Sequence, residues 1–462
     1  METESRTISP IERDKRIENI SVVGLGKLGL CIAACLANKG YHVFGIDIDP
    51  SKVHLINKGV TPTYEPGLAE MLKSCRERLT ATGDYRGAIE TSDVTFVIVN
   101  TPSNSEGSYS VEKLTSASEE IGRAIKDKNS FHVVALTSTV LPGTTNNVVK
   151  SILEETSEKE CRIGFGLCYN PEFIALGSVI RDFLNPDFVL IGESDPKSGE
   201  LLSGIYRKIC ENNPRIARMN IVNAELTKIA LNSYVTMKIS FANTLAEICE
   251  RLPGGNVDVV TSALGLDQRI GPKYIKGGLG FGGPCFPRDN KAFSFFAKQL
   301  GCNAKLAEAS DLVNEKQVKR IAEIVEKEVK SDGRIAILGL TYKPDTNIVE
   351  ASQALDIAQT LAERGHSVKV YDPLGIGNAK ELLDDKVEAS KSSQDCLKDA
   401  QICIIATPWN EFKKLSPEDF TKCGPIVIID CWRILNRDSF EKKVKYIGIG
   451  LGQEDKRQKR NG

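Results

Sequence analysis

The chain has 462 residues, 26% of them charged, and a formal net charge of −1, the profile of an ordinary soluble protein with two or three domains. That balance argues against a nucleic-acid partner, which would need a basic face, no apolar run reaches the length of a membrane span, and polar Met1–Arg16 is without the apolar segment expected of a secretory signal. Thirteen cysteines without a CxxC pair and four scattered histidines predict no metal site, and Cys31, Cys35, Cys249 and Cys403 fall in apolar patterns expected of a reduced, cytoplasmic protein.

From Ile20 onward, short β-rich runs alternate with amphipathic helical stretches, the pattern of an α/β fold with parallel strands. The first strand, Ile20–Val23, runs into Gly24-Leu25-Gly26-Lys27-Leu28-Gly29 and a helix over Leu28–Asn38. This is G-x-G-x-x-G in the strand–turn–helix setting it requires: Gly24 permits the tight turn, Gly26 admits a pyrophosphate to the backbone, and Gly29 lets helix and strand pack closely. The helix N-terminus adds amide donors and partial positive charge for the phosphates. A second strand, His42–Ile46, ends at Asp47, where a carboxylate holds the adenosine ribose and repels a 2′-phosphate. The expected cofactor is therefore NAD, a preference that Lys52, close behind, weakens slightly.

Further strands are predicted at Val94–Val99, His132–Thr137, Gly164–Tyr169 and Phe188–Ile191. Two are followed by polar residues where an open sheet presents its ligands. Ser138-Thr139-Val140-Leu141-Pro142-Gly143 offers hydroxyls, and Tyr169-Asn170-Pro171-Glu172-Phe173 offers a carboxylate.

Near Asn220 the pattern changes. Ala224–Arg251 has no Gly or Pro and carries apolar residues at helical spacing on more than one face, predicting a helix roughly 40 Å long. Lys228 and Asn232 lie four apart on it and project together, a cationic and a neutral donor suited to a developing oxyanion. On an isolated helix the same pair reads as a polar stripe. The stretch Gly280-Phe281-Gly282-Gly283-Pro284-Cys285-Phe286-Pro287-Arg288-Asp289 then sets one cysteine in a small, rigid turn. Gly282 and Gly283 allow unusual backbone angles and the close approach of a ligand, while Pro284 and Pro287 fix the turn on both sides. Arg288 and Asp289 bring a cation and an acid to the thiol, and a nearby cation favours the thiolate, which makes Cys285 the candidate nucleophile. No histidine lies near a motif, so acid–base work falls to Lys, Asp, Glu or water.

A second α/β unit begins with a strand at Arg334–Leu338, followed by strands at Ser367–Tyr371, Ile402–Ala406 and Ile426–Asp430. Its first strand leads into Gly339-Leu340-Thr341-Tyr342-Lys343-Pro344, which has one glycine, so no second dinucleotide is expected. Lys343 suits a phosphate or uracil-type ligand at the carboxyl end of the sheet and reads equally as a solvated loop lysine. An NAD site together with a reactive cysteine suggests a covalent oxidation. A thiolate adds to an aldehyde, hydride departs, and water releases an acid from the thioester.

Taken in order, these motifs resemble the UDP-glucose/GDP-mannose dehydrogenase family, and within it the UDP-glucose 6-dehydrogenases, from Ile20 to about Gly450. The resemblance also includes Tyr64-Glu65-Pro66-Gly67-Leu68, Val99-Asn100-Thr101-Pro102, Glu225-Leu226-Thr227-Lys228 and Arg269-Ile270-Gly271. It implies a double oxidation at C6 of a nucleotide sugar through a cysteine thioester, consuming two NAD and one water. Cys285 would be the nucleophile, Lys228 and Asn232 would steady the C6 oxygen, Asp289 and Thr139 would position water, and Glu172 would assist hydrolysis. Thr101 and Thr139 would border the cofactor. Phe173, Tyr274, Lys276, Gly282, Lys343 and Arg433 would line the UDP-sugar site, with Arg269 reaching the substrate of a neighbouring subunit in a homodimer, itself open to higher assembly.

The implied organisation is an N-terminal Rossmann NAD-binding domain over 17–215, a central long-helix dimerisation region carrying the cysteine over 216–325, and a C-terminal Rossmann-like UDP-sugar domain over 326–450. Segments 1–16 and 454–462 are expected to be disordered tails. Pro284, Arg288, Leu176 and Glu350-Ala351 depart from the family's usual residues and bear on which sugar is taken. The intact Glu65-Pro66-Gly67-Leu68 and Arg269-Ile270-Gly271 favour glucose, and Phe286 stands where the acetamido-sugar branch usually has histidine. The alternatives are the same chemistry on a UDP-N-acetylhexosamine or GDP-mannose, and a non-catalytic NAD-binding redox sensor.

Overall fold

A computed structural model describes residues 17–329, 333–422 and 427–453; the two polar tails expected to be disordered lie outside these residues. Two twisted sheets flank a helical middle. The first has eight strands: β1 (Asn19–Val23), β2 (His42–Ile46), β3 (Leu79–Thr82), β4 (Val94–Val97), β5 (His132–Leu136), β6 (Phe165–Tyr169), β7 (Phe188–Glu193) and β8 (Arg215–Asn220). Their spatial order is β3-β2-β1-β4-β5-β6-β7-β8, parallel throughout except where β7 meets β6. The second sheet is wholly parallel, β11-β10-β9-β12-β13-β14, built from β9 (Arg334–Leu338), β10 (Ser367–Tyr371), β11 (Val387–Ala389), β12 (Ala400–Ile405), β13 (Val427–Asp430) and β14 (Lys445–Gly448).

Both sheets thus contain the 3-2-1-4-5-6 order of a dinucleotide-binding fold, whose ligand crevice opens at the carboxyl ends where the strand order reverses. Helices cover both faces, so every residue of β4, β5 and β6 is buried. One polar chain crosses this apolar core. The hydroxyls of Ser21 and Thr95 lie 2.6 Å apart, and Thr95 lies 2.7 Å from Nε2 of His132, whose Nδ1 is 3.0 Å from the Ser92 carbonyl. Burial, with Lys128 nearby, pushes His132 down to about 3, so the ring stays neutral and fully bonded.

The middle is organised by one helix, Ile221–Glu250, about 45 Å long at 1.5 Å per residue. It starts where Asn220 caps it, accepting a hydrogen bond from the Asn223 amide. Helices Phe286–Gln299 and Lys305–Glu328 pack against it. Ile229, Val235 and Ala246 are buried, whereas Leu226, Tyr234, Phe241 and Ile248 form an exposed stripe of large apolar side chains. Among the described residues no helix is long and apolar enough to cross a membrane.

The second sheet repeats the acid of the first in a different use. Asp372, at the end of β10 as Asp47 is at the end of β2, accepts hydrogen bonds from the Leu340 and Thr341 amides, the Thr341 hydroxyl and the Trp409 indole. Asp47 likewise accepts the Leu25 amide, but only Asp372 also holds a hydroxyl and an indole of the protein.

Candidate active site

The cofactor half is set by backbone geometry at the end of β1. Gly24 has φ +94°, and a Cβ there would stand 2.3 Å from the Ile98 carbonyl oxygen. A Cβ on Gly29 would meet the Gly24 carbonyl oxygen at 1.9 Å, so that glycine serves close helix–strand packing. Gly26 has open space where its Cβ would point, which leaves room for a pyrophosphate at the N-terminus of helix Lys27–Asn38. Lys27 and Leu28 form the first turn of that helix. Asp47 is buried, and its Oδ2 accepts from the Leu25 amide at 2.9 Å, tying the acid to the glycine turn. The Lys52 ammonium stands 3.6 Å from the same oxygen. The loops after β4 and β5 are laced together beside this turn: the Val99 amide donates to the Ser138 hydroxyl at 2.9 Å, and the Thr101 hydroxyl donates to the Thr139 carbonyl at 2.7 Å. These residues fit NAD, which when bound supplies a hydride acceptor.

Asp47→Ala is expected to raise the KM for NAD by one to two orders of magnitude and to relax discrimination against NADP. A hydrogen bond to a charged group contributes about 1.5–3 kcal/mol, and each 1.4 kcal/mol is about tenfold. Initial rates with the two cofactors measure it, and an unchanged NAD/NADP ratio would move the role elsewhere.

The cysteine half is assembled from distant segments. Cys285 is the N-cap residue of helix Phe286–Gln299. The preceding loop is stitched to three elements through its backbone amides. Gly278 donates to Asn243 of the central helix at 2.9 Å, Phe281 to Asn314 at 2.7 Å, and Gly280 and Gly283 to Gln353 and to the Glu350 carbonyl of the C-terminal unit at 2.7 and 3.1 Å. The glycines here serve protein packing. A Cβ on Gly282 would stand 2.2 Å from the Ala351 carbonyl oxygen, and one on Gly283, where φ is +81°, 2.7 Å from the Tyr342 ring. The partner that approaches them closely is the C-terminal unit.

Around the thiol, Asp289 is fully buried and receives three donors. The Tyr109 hydroxyl and Arg288 Nε bond Oδ1 at 2.8 and 2.9 Å, and Asn232 Nδ2 bonds Oδ2 at 2.6 Å. The Arg288 guanidinium also lies 5.1 Å from the centre of the Tyr109 ring. Lys228 is buried, donates to the Glu172 carbonyl at 2.7 Å and sits 4.7 Å from the centre of the Phe173 ring. Burial lowers its pKa, against the pull of Asp289 and Cys285. Spacing paired Lys228 with Asn232 and Cys285 with Asp289; the fold brings the two pairs into one cluster, as the family resemblance implied.

Its electrostatics differ from expectation in one respect. Cys285 is open to the cleft by surface area, yet protein crowds the thiol on its other sides. That desolvation, joined by Asp289, raises the thiol pKa although Arg288 and Lys228 pull the other way. The lost hydration outweighs the two cations, because a crowded thiolate is hydrated less well than one in bulk water. The sequence suggested a cation-stabilised thiolate; in the structure the Arg288 guanidinium is already paired with Asp289. A cavity of about 300 Å³ lies beside the loop, lined by Asn104, Gly283, Pro284, Arg288, Lys291 and Glu350 among others.

The remaining candidates are more dispersed. Tyr274, with φ +63°, stacks edge-on against Phe286 at 6.2 Å. Lys276 is exposed nearby. Lys343 is partly buried, and burial lowers its pKa against the attraction of Asp182 and Glu65. Arg433 is committed to the protein itself, bonding Asp258 at 2.6 and 2.8 Å and the Gly277 carbonyl at 2.6 Å. Arg269 is exposed and paired with Asp267 of its own chain at 2.6 Å. Glu172 turns its carboxyl to Tyr206, 2.6 Å away. Tyr109 and Tyr206, both in direct contact with candidate catalytic carboxyls, carried no signal in the sequence.

Known proteins follow the same division of the chain. Residues 18–210 match the NAD binding domain of the UDP-glucose/GDP-mannose dehydrogenase family, 222–316 its central domain and 336–437 its UDP binding domain. The chain belongs to that family. It is accordingly an NAD-dependent nucleotide-sugar dehydrogenase. It is 36% identical to the UDP-glucose 6-dehydrogenase AglM of Haloferax volcanii, across 90% of this chain and 97% of that one. It is 37% identical to the UDP-glucose 6-dehydrogenase TuaD of Bacillus subtilis, across 86% and 85%. The structure of a UDP-glucose dehydrogenase from Pyrobaculum islandicum superimposes with a TM-score of 0.86 at 33% identity, covering 96% of this chain and 99% of that one.

Proposed function

We propose that the chain oxidises UDP-glucose to UDP-glucuronate, with Cys285 carrying the sugar between two hydride transfers. The observation that carries this reading is the cluster of Lys228, Asn232 and Asp289 with Cys285, whose loop is held against the C-terminal unit. In the first oxidation the C6 alcohol loses a hydride and a proton to give an aldehyde. Cys285 adds through sulfur to C6, and the new oxyanion is met by the Lys228 ammonium and the Asn232 amide. Loss of a second hydride from C6 leaves a thioester. Water held by Asp289 and Thr139 then adds to C6, Glu172 takes its proton, and the C–S bond breaks to release the acid and the thiol. In total one water enters, and two hydrides and three protons leave, as the alcohol becomes a carboxylate.

Phe173, Tyr274, Lys276 and Lys343 are assigned to the sugar nucleotide, while Gly282 packs against Ala351 and Arg433 ties the C-terminal unit to Asp258 and the Gly277 carbonyl. We assign the three units to 17–215, 216–325 and 326–450, and place the protein in the cytoplasm, where the free thiols of its described cysteines are maintained. The experiment is a comparison of initial rates of NADH formation from UDP-glucose, UDP-N-acetylglucosamine and GDP-mannose. UDP-glucose should lead; a higher rate with either alternative would reassign the sugar, and none with any would leave a binding protein.

The exposed stripe of Leu226, Tyr234, Phe241 and Ile248 calls for a covering surface, and a two-fold copy of the same helix supplies one. In that dimer Arg269 would leave Asp267 and serve the partner's site. Mixing inactive Arg269→Ala with inactive Cys285→Ser under subunit exchange is expected to restore part of the activity, because one hybrid site keeps both residues. Absence of recovery despite proven exchange would confine Arg269 to its own chain.

A further inference from the structure

The Tyr206 hydroxyl has one proton and two close oxygen partners. It lies 2.6 Å from Asn170 Oδ1 and 2.6 Å from Glu172 Oε1. The Asn170 amide cannot be turned round to relieve this, because its Nδ2 donates to the Leu190 carbonyl at 2.9 Å and a flip would set two oxygens face to face. Asn170 and Tyr206 are each 1% exposed, so no bulk solvent supplies a missing proton. If Tyr206 donates to Glu172, its oxygen confronts Asn170 Oδ1 with no hydrogen between them. If it donates to Asn170, Glu172 must itself carry a proton and donate to Tyr206. Only the second arrangement satisfies every contact, as a run of donors from Glu172 to Tyr206 to Asn170 to the Leu190 carbonyl.

We propose that Tyr206, fixed by Asn170, is a positioning residue that keeps Glu172 a neutral acid in the resting enzyme, and that Glu172 ionises only as the tyrosine proton swings from Asn170 to the carboxylate. The accounting is closed: Glu172 gives one proton to solvent, the phenol keeps its own, and only the direction of its O–H bond changes. This deepens the proposed function and rests on it, since a base for thioester hydrolysis must be ionised when water attacks and can be neutral before. Burial pushes Glu172 up to about 7, against the hydrogen bond from Tyr206 and the charge of Lys228. The other titratable groups coupled to it stay neutral near that pH. Burial pushes both Cys35, on the first helix, and Cys210, after helix Pro196–Ile209, up to about 12, and raises Tyr206 well above the usual phenol range. Among the described residues Lys228 is the charged group that acts on it, and its amine is held by the Glu172 main-chain carbonyl.

Two substitutions should move the titration in opposite directions. Tyr206→Phe removes the donor that the carboxylate needs, so Glu172 should ionise about one pH unit higher, the scale of a hydrogen bond to a charged group. Asn170→Ala removes the oxygen that competes for the phenol proton, so Glu172 should ionise at lower pH. The full-length protein is titrated by infrared difference spectroscopy on the protonated carboxyl band, with Glu172→Gln as the blank, and the acid limb of kcat is measured alongside. A protonated carboxyl band present at about pH 6, whose midpoint moves upward in Tyr206→Phe, supports the inference, and should Asn170→Ala not fold, Tyr206→Phe alone decides. A missing band, an unmoved midpoint in Tyr206→Phe, or a shift of both variants in one direction overturns it. The infrared result does not depend on turnover, so a failure of the unaltered protein to oxidise any nucleotide sugar would instead sink the functional reading.

Discussion

Cys285→Ser is expected to lower turnover by about three orders of magnitude or more while UDP-glucose and NAD still bind, because a serine hydroxyl is a far weaker nucleophile and leaving group than a thiol. The geometry makes this a clean substitution. The loop's amides are held by Asn243, Asn314, Gln353 and the Glu350 carbonyl, bonds that do not run through the sulfur, so the backbone has its supports without it. The thiol starts above its ordinary pKa, from crowding and from Asp289, so its proton must leave as the aldehyde arrives. Its position at a helix N-terminus and beside Lys228 favours the anion at that moment. Calorimetry with each ligand separates the roles. Loss of both ligands in the variant would make Cys285 structural.

Lys228→Met should cost about two to three orders of magnitude in kcat, the scale of one preorganised donor to an oxyanion, with the KM for NAD little changed. The ammonium is buried, and burial lowers its pKa, so the fold gains little from its charge. A methionine of similar length keeps the packing against Phe173. The melting temperature should therefore fall by no more than a few degrees while kcat collapses. A large loss of stability with kcat nearly intact would show that Lys228 only tethers the Glu172 carbonyl.

The parts legible in the sequence are those written by local physics. The strands β2, β9 and β10 fall where alternation and flanking turns put them, and the glycine turn reads directly because its spacing is imposed by one turn and one helix start. The strands missed, β3, β8, β11 and β14, are peripheral or short. β8 has no buried residue in Arg-Ile-Ala-Arg-Met-Asn, so no hydrophobic period marks it. The central helix begins three residues before its predicted start, at the Asn220 cap. Lys228 and Asn232 could be paired because four residues bring two side chains to one helix face. Tyr109 could not be paired with Asp289, since 180 residues separate them and only the packing of the loop before Ser110 against the cysteine helix joins them. For the same reason the glycines near Cys285 suggested a ligand's approach when it is Ala351 and Tyr342, across a domain boundary, that crowd them. Net effects on a pKa were equally hidden: adjacency to Arg288 is visible in the sequence, but its engagement by Asp289 and the crowding of the thiol are not.

The central claim is that one site oxidises C6 twice without releasing the aldehyde. It is tested most directly by converting a limiting amount of UDP-glucose to completion with excess NAD, counting NADH by absorbance and identifying the product by mass. The account predicts two NADH for each UDP-glucose, with UDP-glucuronate as product and no free aldehyde trapped by a hydrazine at any stage. One NADH for each sugar, with the aldehyde released, would contradict it.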